Sequence, residues 1–331
     1  MTYTVGGLIQ AADFNGFVST NSANINGQWG TGSGGSGWGQ TPLSTVSAGG
    51  IVTATNWAGL VSTLATMGNQ TSSTLTSRTG PVAGNVISVL ANVNTDITTC
   101  QTNNNTTAVV GTEYGTFTGT TSKTTATGSG QAAWTITFTH TITFDSANAT
   151  RYFWNAGGRV RLQYGKSSTG TDTDPDWNTF AGECGSIYLS GRLNGAAQTI
   201  VGVTYTGTTR IGGTGGTQTT LATTTGWYNL TTSPTSIFKL TNATSPYSGE
   251  YIETTATATS STVLTLTTTW VSDGSSGAGT TADISGGTAV SSPATSIGAA
   301  TAPTTLCTYI PPSTTYLANT WGTPTIAASV A

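Results

Sequence analysis

The residues able to do chemistry are few in this chain. His140 is the only histidine. A catalytic imidazole needs a nucleophile or an orienting carboxylate held against it. No motif ties either to His140, which falls in the middle of an apolar strand face, so a packed or interface histidine is expected. The one acidic cluster is Asp172, Asp174 and Asp176. Counted as a calcium loop, it places Glu183 at the twelfth position. The sixth position, where the sharp turn requires glycine, is Trp177, and Pro175 stiffens the middle. Electrostatics offers a better account. Arg151, Arg159 and Arg161 lie just upstream, and in a chain so poor in charge a structural Arg–Asp pairing between adjacent loops is expected. An exposed pair of that kind contributes only ~0–1 kcal/mol.

Other fragments of known motifs fail on their companions. Gly165-Lys166-Ser167 has the form of a P-loop ending, but Val160 stands where the first glycine is needed. Ser236-Ile237-Phe238-Lys239 spells Ser-X-X-Lys without the Ser-Asp-Asn and Lys-Thr-Gly elements that give it meaning. Cys100, Cys184 and Cys307 are odd in number and far apart, with no metal spacing and no disulfide framework. Buried or free thiols are expected, with an inter-subunit disulfide as the alternative. No carboxylate pair is marked as a glycosidase pair. Trp177, Trp227, Tyr228 and Tyr247 could stack on sugar faces, although in a body this size such rings are more often core. The sequence therefore names no catalytic residue, no metal ligand and no cofactor, and the expectation is a protein that is not an enzyme.

Composition narrows the partners. Charged residues are 6% of 331, against roughly 25% in an average globular protein. Nine Lys and Arg and a net charge of −3 argue against nucleic acid, whose phosphates call for clustered cations. No stretch is apolar for long enough to insert in a membrane as a spanning helix. The start, MTYTVGGLIQ, shows no basic n-region or apolar h-region, so the chain is expected either to stay in the cytoplasm or to leave by another route, such as lysis. Thr, Ser, Gly and Asn fill the balance. Thr is β-branched and its hydroxyl keeps a sheet face wet without charge. Nine Trp and eleven Tyr supply the anchors that disordered chains lack.

The elements that must position these residues are mostly strands. In Ala133–Phe144, Trp134, Ile136, Phe138, His140, Ile142 and Phe144 alternate with threonines, the period of a half-buried strand. Arg151–Tyr164 follows, with an aromatic entry, an Asn-Ala-Gly-Gly bend and a second strand. Further strands are predicted at Gly185–Leu189, Thr199–Tyr205, Ser236–Leu240, Tyr251–Thr259 and Thr262–Val271, the last two forming a hairpin. No helix is predicted after Ala133, and the Pro-rich end is expected to lie extended along the body. Before that point helical stripes dominate. Phe14, Phe17, Val18 and Ile25, within Ala11–Ile25, form the first. Trp57, Leu60, Val61, Leu64 and Met67 form the second, with Thr55 as N-cap; Gly84–Thr98 holds the third. Between the first two, QWGTGSGGSGWGQ (28–40) must be a loop, pinned by Trp29 and Trp38. The fold class is thus mainly β: residues 1–110 a helical attachment or oligomerisation region, 111–132 a linker, 133–331 a β-sandwich-like body with an extended tail. Trp29, Trp38, Trp57, Leu60 and Leu64 are the candidate interface residues, packing either on one another or on partner copies.

Three segments carry a family resemblance. They are Trp29-Gly30 through Gly37-Trp38-Gly39-Gln40, followed by Ile51–Leu60 with its Trp57; Tyr152-Phe153-Trp154-Asn155-Ala156-Gly157-Gly158-Arg159-Val160-Arg161-Leu162, followed by Asp176-Trp177; and Pro311-Pro312 through Leu317 to Trp321-Gly322. Together they resemble virion proteins of tailed bacteriophages, notably contractile-tailed phages and cyanophages. Trp154 replaces a more usual Phe or Asn. The resemblance implies a non-enzymatic component of tail, fibre, baseplate or collar, located in the virion. Its expected partners are further copies of itself and other virion proteins. A receptor- or glycan-binding adhesin recognising a host surface glycan is the alternative, and a polysaccharide-degrading tailspike a more distant one.

Overall fold

A computed structural model describes residues 10–19, 23–83, 92–109, 121–122, 134–166, 173–244, 248–272 and 303–331. In chain order, the N-terminal part holds α1 (Ala11–Val18), α2 (Ile25–Gln28), α3 (Ala54–Gln70), α4 (Val93–Thr102) and the short strands β1 (Thr106–Thr107) and β2 (Thr121–Ser122). Then come β3 (Trp134–Thr143), α5 (Ala147–Asn155), β4 (Arg159–Gly165), α6 (Thr173–Glu183), β5 (Ser186–Leu189), β6 (Gln198–Ile200) and β7 (Val203–Tyr205). The remainder is β8 (Thr208–Ile211), β9 (Thr217–Leu221), β10 (Thr235–Thr241), β11 (Tyr251–Ser260), β12 (Val263–Ser272), β13 (Thr304–Ile310) and β14 (Thr325–Val330).

The protein is mainly β, with a small helical N-terminal region. Two antiparallel sheets form the body, in the orders β14-β3-β12-β11-β10-β9 and β2-β13-β4-β5-β8. A third, small sheet runs β1-β6-β7. β3 behaves as its alternation predicts. It pairs with β12 from Trp134↔Ser272 to Thr143↔Val263, burying Ile136, Phe138, His140 and Ile142 on one face. On the other face Thr137, Thr139 and Thr141 sit beside Thr269, Thr267 and Thr265, an array of β-branched hydroxyl side chains without charge.

Apolar and hydroxyl contacts join the two sheets face to face. Tyr164 of β4 stacks on Phe238 of β10, with centroids 5.9 Å apart. Its hydroxyl shares a 2.9 Å hydrogen bond with Thr254, which shares another with Thr268. Trp270 Nε1 donates to Thr305 Oγ1 at 3.1 Å. Buried polar groups that find partners in this way avoid the full desolvation penalty. At one side of the sandwich the edges are tied: Thr208 N–H donates to the Ala222 carbonyl, and Arg210 Nη1 to Gln218 Oε1. At the other side β2 and β14 lie next to each other.

The structure corrects several expectations. First, two helices follow Ala133. α5 starts where Ser146 Oγ accepts the Ala149 N–H, and it buries Tyr152, Phe153 and Trp154 together. Its polar residues Asn148, Arg151 and Asn155 recur at a spacing of three and four, a helical period, while the consecutive aromatics Tyr152, Phe153 and Trp154 imitate the entry to a strand. α6 occupies the acidic stretch, with Pro175 in its first turn, where a missing N–H costs nothing. Second, the C-terminal segment is not merely laid on the body. β13 pairs with β4, and β14 pairs with β3 from Thr325↔Thr143 to Val330↔Phe138. Third, the cap of α3 is Thr53, not Thr55: Thr53 Oγ1 accepts the Asn56 N–H and Asn56 Oδ1 accepts the Thr53 N–H. Thr199–Tyr205 is also two strands, turned at Val201-Gly202. The predicted Tyr251/Thr262 hairpin stands as β11 and β12, and of the third helical stripe residues 84–91 lie outside the described residues.

Trp270 meets Phe138, Tyr164 and Trp177 and satisfies Thr305. Trp270→Ala is therefore expected to cost about 3–5 kcal/mol in chemical denaturation; a loss below ~1 kcal/mol would contradict its place at the centre of the sandwich.

Candidate functional site at the glycine-rich seam

The segment with the most concentrated polar contacts is the loop 28–40. It first folds back on itself: Trp38 N–H donates to the Gln28 carbonyl, Gly39 N–H to Gly30 and Gln40 N–H to Trp29, at 2.8–2.9 Å. Gly39 has φ +69°, and a Cβ there would lie 2.3 Å from the Tyr152 ring, so only glycine fits. Four further carbonyls of the loop, those of Thr31, Gly34, Ser36 and Gly37, point at α5. Asn155 Nδ2 lies 2.7 Å from the Ser36 oxygen, 2.8 Å from that of Gly37 and 3.3 Å from that of Gly34. Arg151 donates to the carbonyls of Thr31 (2.8 Å), Ser36 (3.2 Å) and Gly34 (3.3 Å), and to Asn148 Oδ1. Tyr228 OH lies 2.7 Å from Asn155 Oδ1 and 3.0 Å from the Gly34 oxygen. Burial pushes the Tyr228 phenol above its ordinary range, while the Arg151 charge and the bond to Asn155 pull it back. It stays a protonated donor.

The loop's other end grips the C-terminal segment. Gln40 Nε2 donates to the Ala318 carbonyl at 3.0 Å, and Ala318 N–H returns a bond to Gln40 Oε1 at 2.8 Å. Thr320 Oγ1 donates to the Trp38 carbonyl, and Trp38 Nε1 to that of Asn155. Beneath the seam, Trp154 stacks on Trp227 at 5.7 Å and 11°, and Phe153 packs edge-on to Phe144.

The sequence-predicted site residues divide sharply. Trp38 is pinned as expected, and Trp29 donates to the Thr41 carbonyl. Trp57, Leu60 and Leu64 are fully buried within the chain, with Phe14 and Phe17 against Trp57. Their stripe is thus covered internally and is not offered to a partner copy. Of the anticipated ion-pair residues, Arg151 and Asp176 are committed elsewhere. Arg151 spends its guanidinium on carbonyls. Arg159 lies over the Tyr205 ring at 5.0 Å and donates to the Gly157 carbonyl. Arg161 is half-buried on β4. Asp172 and the side chain of Asp174 lie outside the described residues. Asp176 accepts a 2.6 Å bond from Asn242, and burial holds its carboxyl above the usual range. Among the described residues, Arg78–Asp96 and Lys239–Glu253 are ion pairs that the sequence did not signal.

Because 173–183 is helical, the acidic stretch does not adopt a calcium-binding loop. Trp177 and Trp227 are buried, so neither offers a platform for sugars; Tyr247 lies outside the described residues. His140 is buried between Leu266 and Ala328 on neighbouring strands. All three cysteines are free and buried, and burial raises every thiol, Cys100 to about 11. Asn155 is the residue sequence reasoning passed over: it stood in the motif, but nothing in its neighbours announced that its amide would serve a loop more than a hundred positions away. No protein-family model, curated protein or solved structure matches this chain.

The seam's groups are committed to holding backbone. Asn155→Ala is expected to cost about 1–3 kcal/mol for each orphaned carbonyl, read as a shift in denaturation midpoint. Arg151→Lys should recover little of an Arg151→Ala loss, since an ammonium cannot span the fork of carbonyls. The thiol of Cys100 gives a pH prediction. Its folded pKa lies above the unfolded one, so its contribution to stability is complete below pH 9 and is lost as pH rises towards 11. Cys100→Ser should flatten that part of the pH–stability curve; an unchanged slope would contradict the assignment.

Proposed function

We propose that this chain is a non-enzymatic structural component of a bacteriophage virion, of the tail, fibre, baseplate or collar type. One observation carries the reading. The three segments that resemble phage virion proteins are far apart in sequence, yet they hydrogen-bond to one another at a single seam. Their polar groups are spent on architecture: Asn155, Arg151 and Gln40 each hold backbone, not a reacting group. A surface of threonine and asparagine with so little charge fits a part that lies in a crowded particle and must not attract stray ions or polyanions.

In this reading the chain is assembled in the host cytoplasm, carried in the particle and released by lysis, and its partners are copies of itself and other virion proteins. Because the helical stripes are covered within the chain, assembly contacts fall on other surfaces. Apolar residues stand exposed at Ile51, Val82 and Val201, and such residues can anchor the core of an otherwise polar contact.

Gold-labelled antiserum against the chain is expected to mark intact purified particles at a fixed position. Finding the chain only in the free protein of the lysate, with none in particles banded by density, would overturn the proposal.

A further inference from the structure

Beside the seam lies a cavity of about 320 Å³, walled by three parts of the chain that are distant in sequence. The glycine-rich loop supplies Ser33 and Ser36. Gln28 at the end of α2, with Gln101 and Asn104 around the end of α4, form a second wall. Asn194, in the tight turn Leu193–Gly195, closes the third. Among the described residues, no Lys, Arg, Asp, Glu or His lines it, and no aromatic ring does. What it presents is side-chain amide and hydroxyl.

Several of these groups have no protein partner among the described residues. Gln28 gives its Nε2 hydrogen to the Cys100 carbonyl, but its Oε1, in a residue 2% exposed, accepts nothing. The amides of Asn104 and Asn194 and the hydroxyl of Ser33 make no side-chain hydrogen bond, whereas Ser36 Oγ closes the turn onto the Ser33 carbonyl at 2.7 Å. The walls themselves are fixed. Arg151 holds the Thr31, Gly34 and Ser36 carbonyls, Gln101 Nε2 donates to the Asn24 carbonyl, and Asn194 abuts Gly35 so closely that a Cβ there would meet its Oδ1 at 2.8 Å. Asn194 itself is held at φ +49°, a left-handed conformation that asparagine tolerates better than most residues.

A rigid, concave, polar and uncharged site selects by hydrogen bonding alone. An anion or cation would lose its hydration without finding a counter-charge, and an apolar ligand would strand the amides. A ligand rich in hydroxyls, able to donate and accept at once, matches both the carbonyl and the amino ends of the amide groups. At about 300 Å³ the space is at the small end of ligand sites, so one or two ring units fit. We propose that this cavity binds a neutral sugar residue. The inference does not rest on the virion reading, and it places recognition away from the buried Trp177 and Trp227.

The test uses the full chain and a panel of neutral mono- and disaccharides, with glucuronic acid as a charged control, followed by saturation-transfer NMR and titration. At least one neutral sugar is expected to bind, with an affinity unchanged between low and high salt, because no charge pair is screened. Asn104→Ala and Asn194→Gly should each weaken it about tenfold, the worth of one lost hydrogen bond pair. Glycine keeps the left-handed backbone at 194, so that variant removes the amide without straining the turn, and matching melting curves check its fold. Saturation transfer from no neutral sugar would overturn the proposal. So would binding that survives both substitutions undiminished, or binding confined to the acidic sugar.

Discussion

A backbone segment with neither helix nor ladder cannot be buried unless something else answers its carbonyls. That constraint organises this molecule. The loop 28–40 sinks Gly37, Trp38 and Gln40 against the sandwich, and its unanswered oxygens at Thr31, Gly34, Ser36 and Gly37 all fall to one helix, α5, through Arg151 and Asn155. α5 interrupts the passage from β3 to β4 at the place where those two side chains reach the loop. Tyr228 then fixes the Asn155 amide from behind, and Gln40 carries the same network to the C-terminal segment. Helical region, sheet body and C-terminal strands are thereby tied through one set of neutral and charge-assisted hydrogen bonds. These are worth most where water is excluded.

The sandwich obeys a related economy. With so few charges, its polar requirements are met by hydroxyls. Inside, Tyr164, Thr254 and Thr268 form a short chain of shared hydrogen bonds between aromatic layers. Outside, threonines from β3, β11 and β12 stand side by side. The same residue type thus serves both faces: its branched carbon packs against neighbouring strands, and its oxygen finds either a partner or water.

Much of this was legible in the sequence where a period of two repeats. β3, β4, β5, β10, β11 and β12 follow from alternation, and the hairpin from its short polar turn. α5 was missed although Asn148, Arg151 and Asn155 keep helical spacing, because the consecutive aromatics Tyr152, Phe153 and Trp154 run straight into a bend and a strand and so imitate extended chain. α6 was hidden by its acidic, Pro-containing start, although Trp177, Phe180 and Ala181 keep helical spacing. β14 was missed because TIAASV alternates weakly and gains its order from pairing with β3. At the site, the glycines and Trp38 announced a pinned loop, but not what pins it. Asn155 acts across 118 positions to Gly37, and no local pattern carries information over that distance. For Arg151 the loop carbonyls take the place of a carboxylate partner, and an exposed carboxylate pair would have contributed only ~0–1 kcal/mol.

Native-state hydrogen exchange of the amides of Trp38, Gly39 and Gln40, compared with those of β3 and β12, shows whether the seam holds the molecule together. If the seam locks the glycine-rich loop into the same cooperative unit as the sandwich, these three amides exchange only with global unfolding, as slowly as the central strands. Exchange through a separate, low-energy opening, with the strands still protected, would mean that the loop is merely draped on the body and that the seam does not hold the protein together.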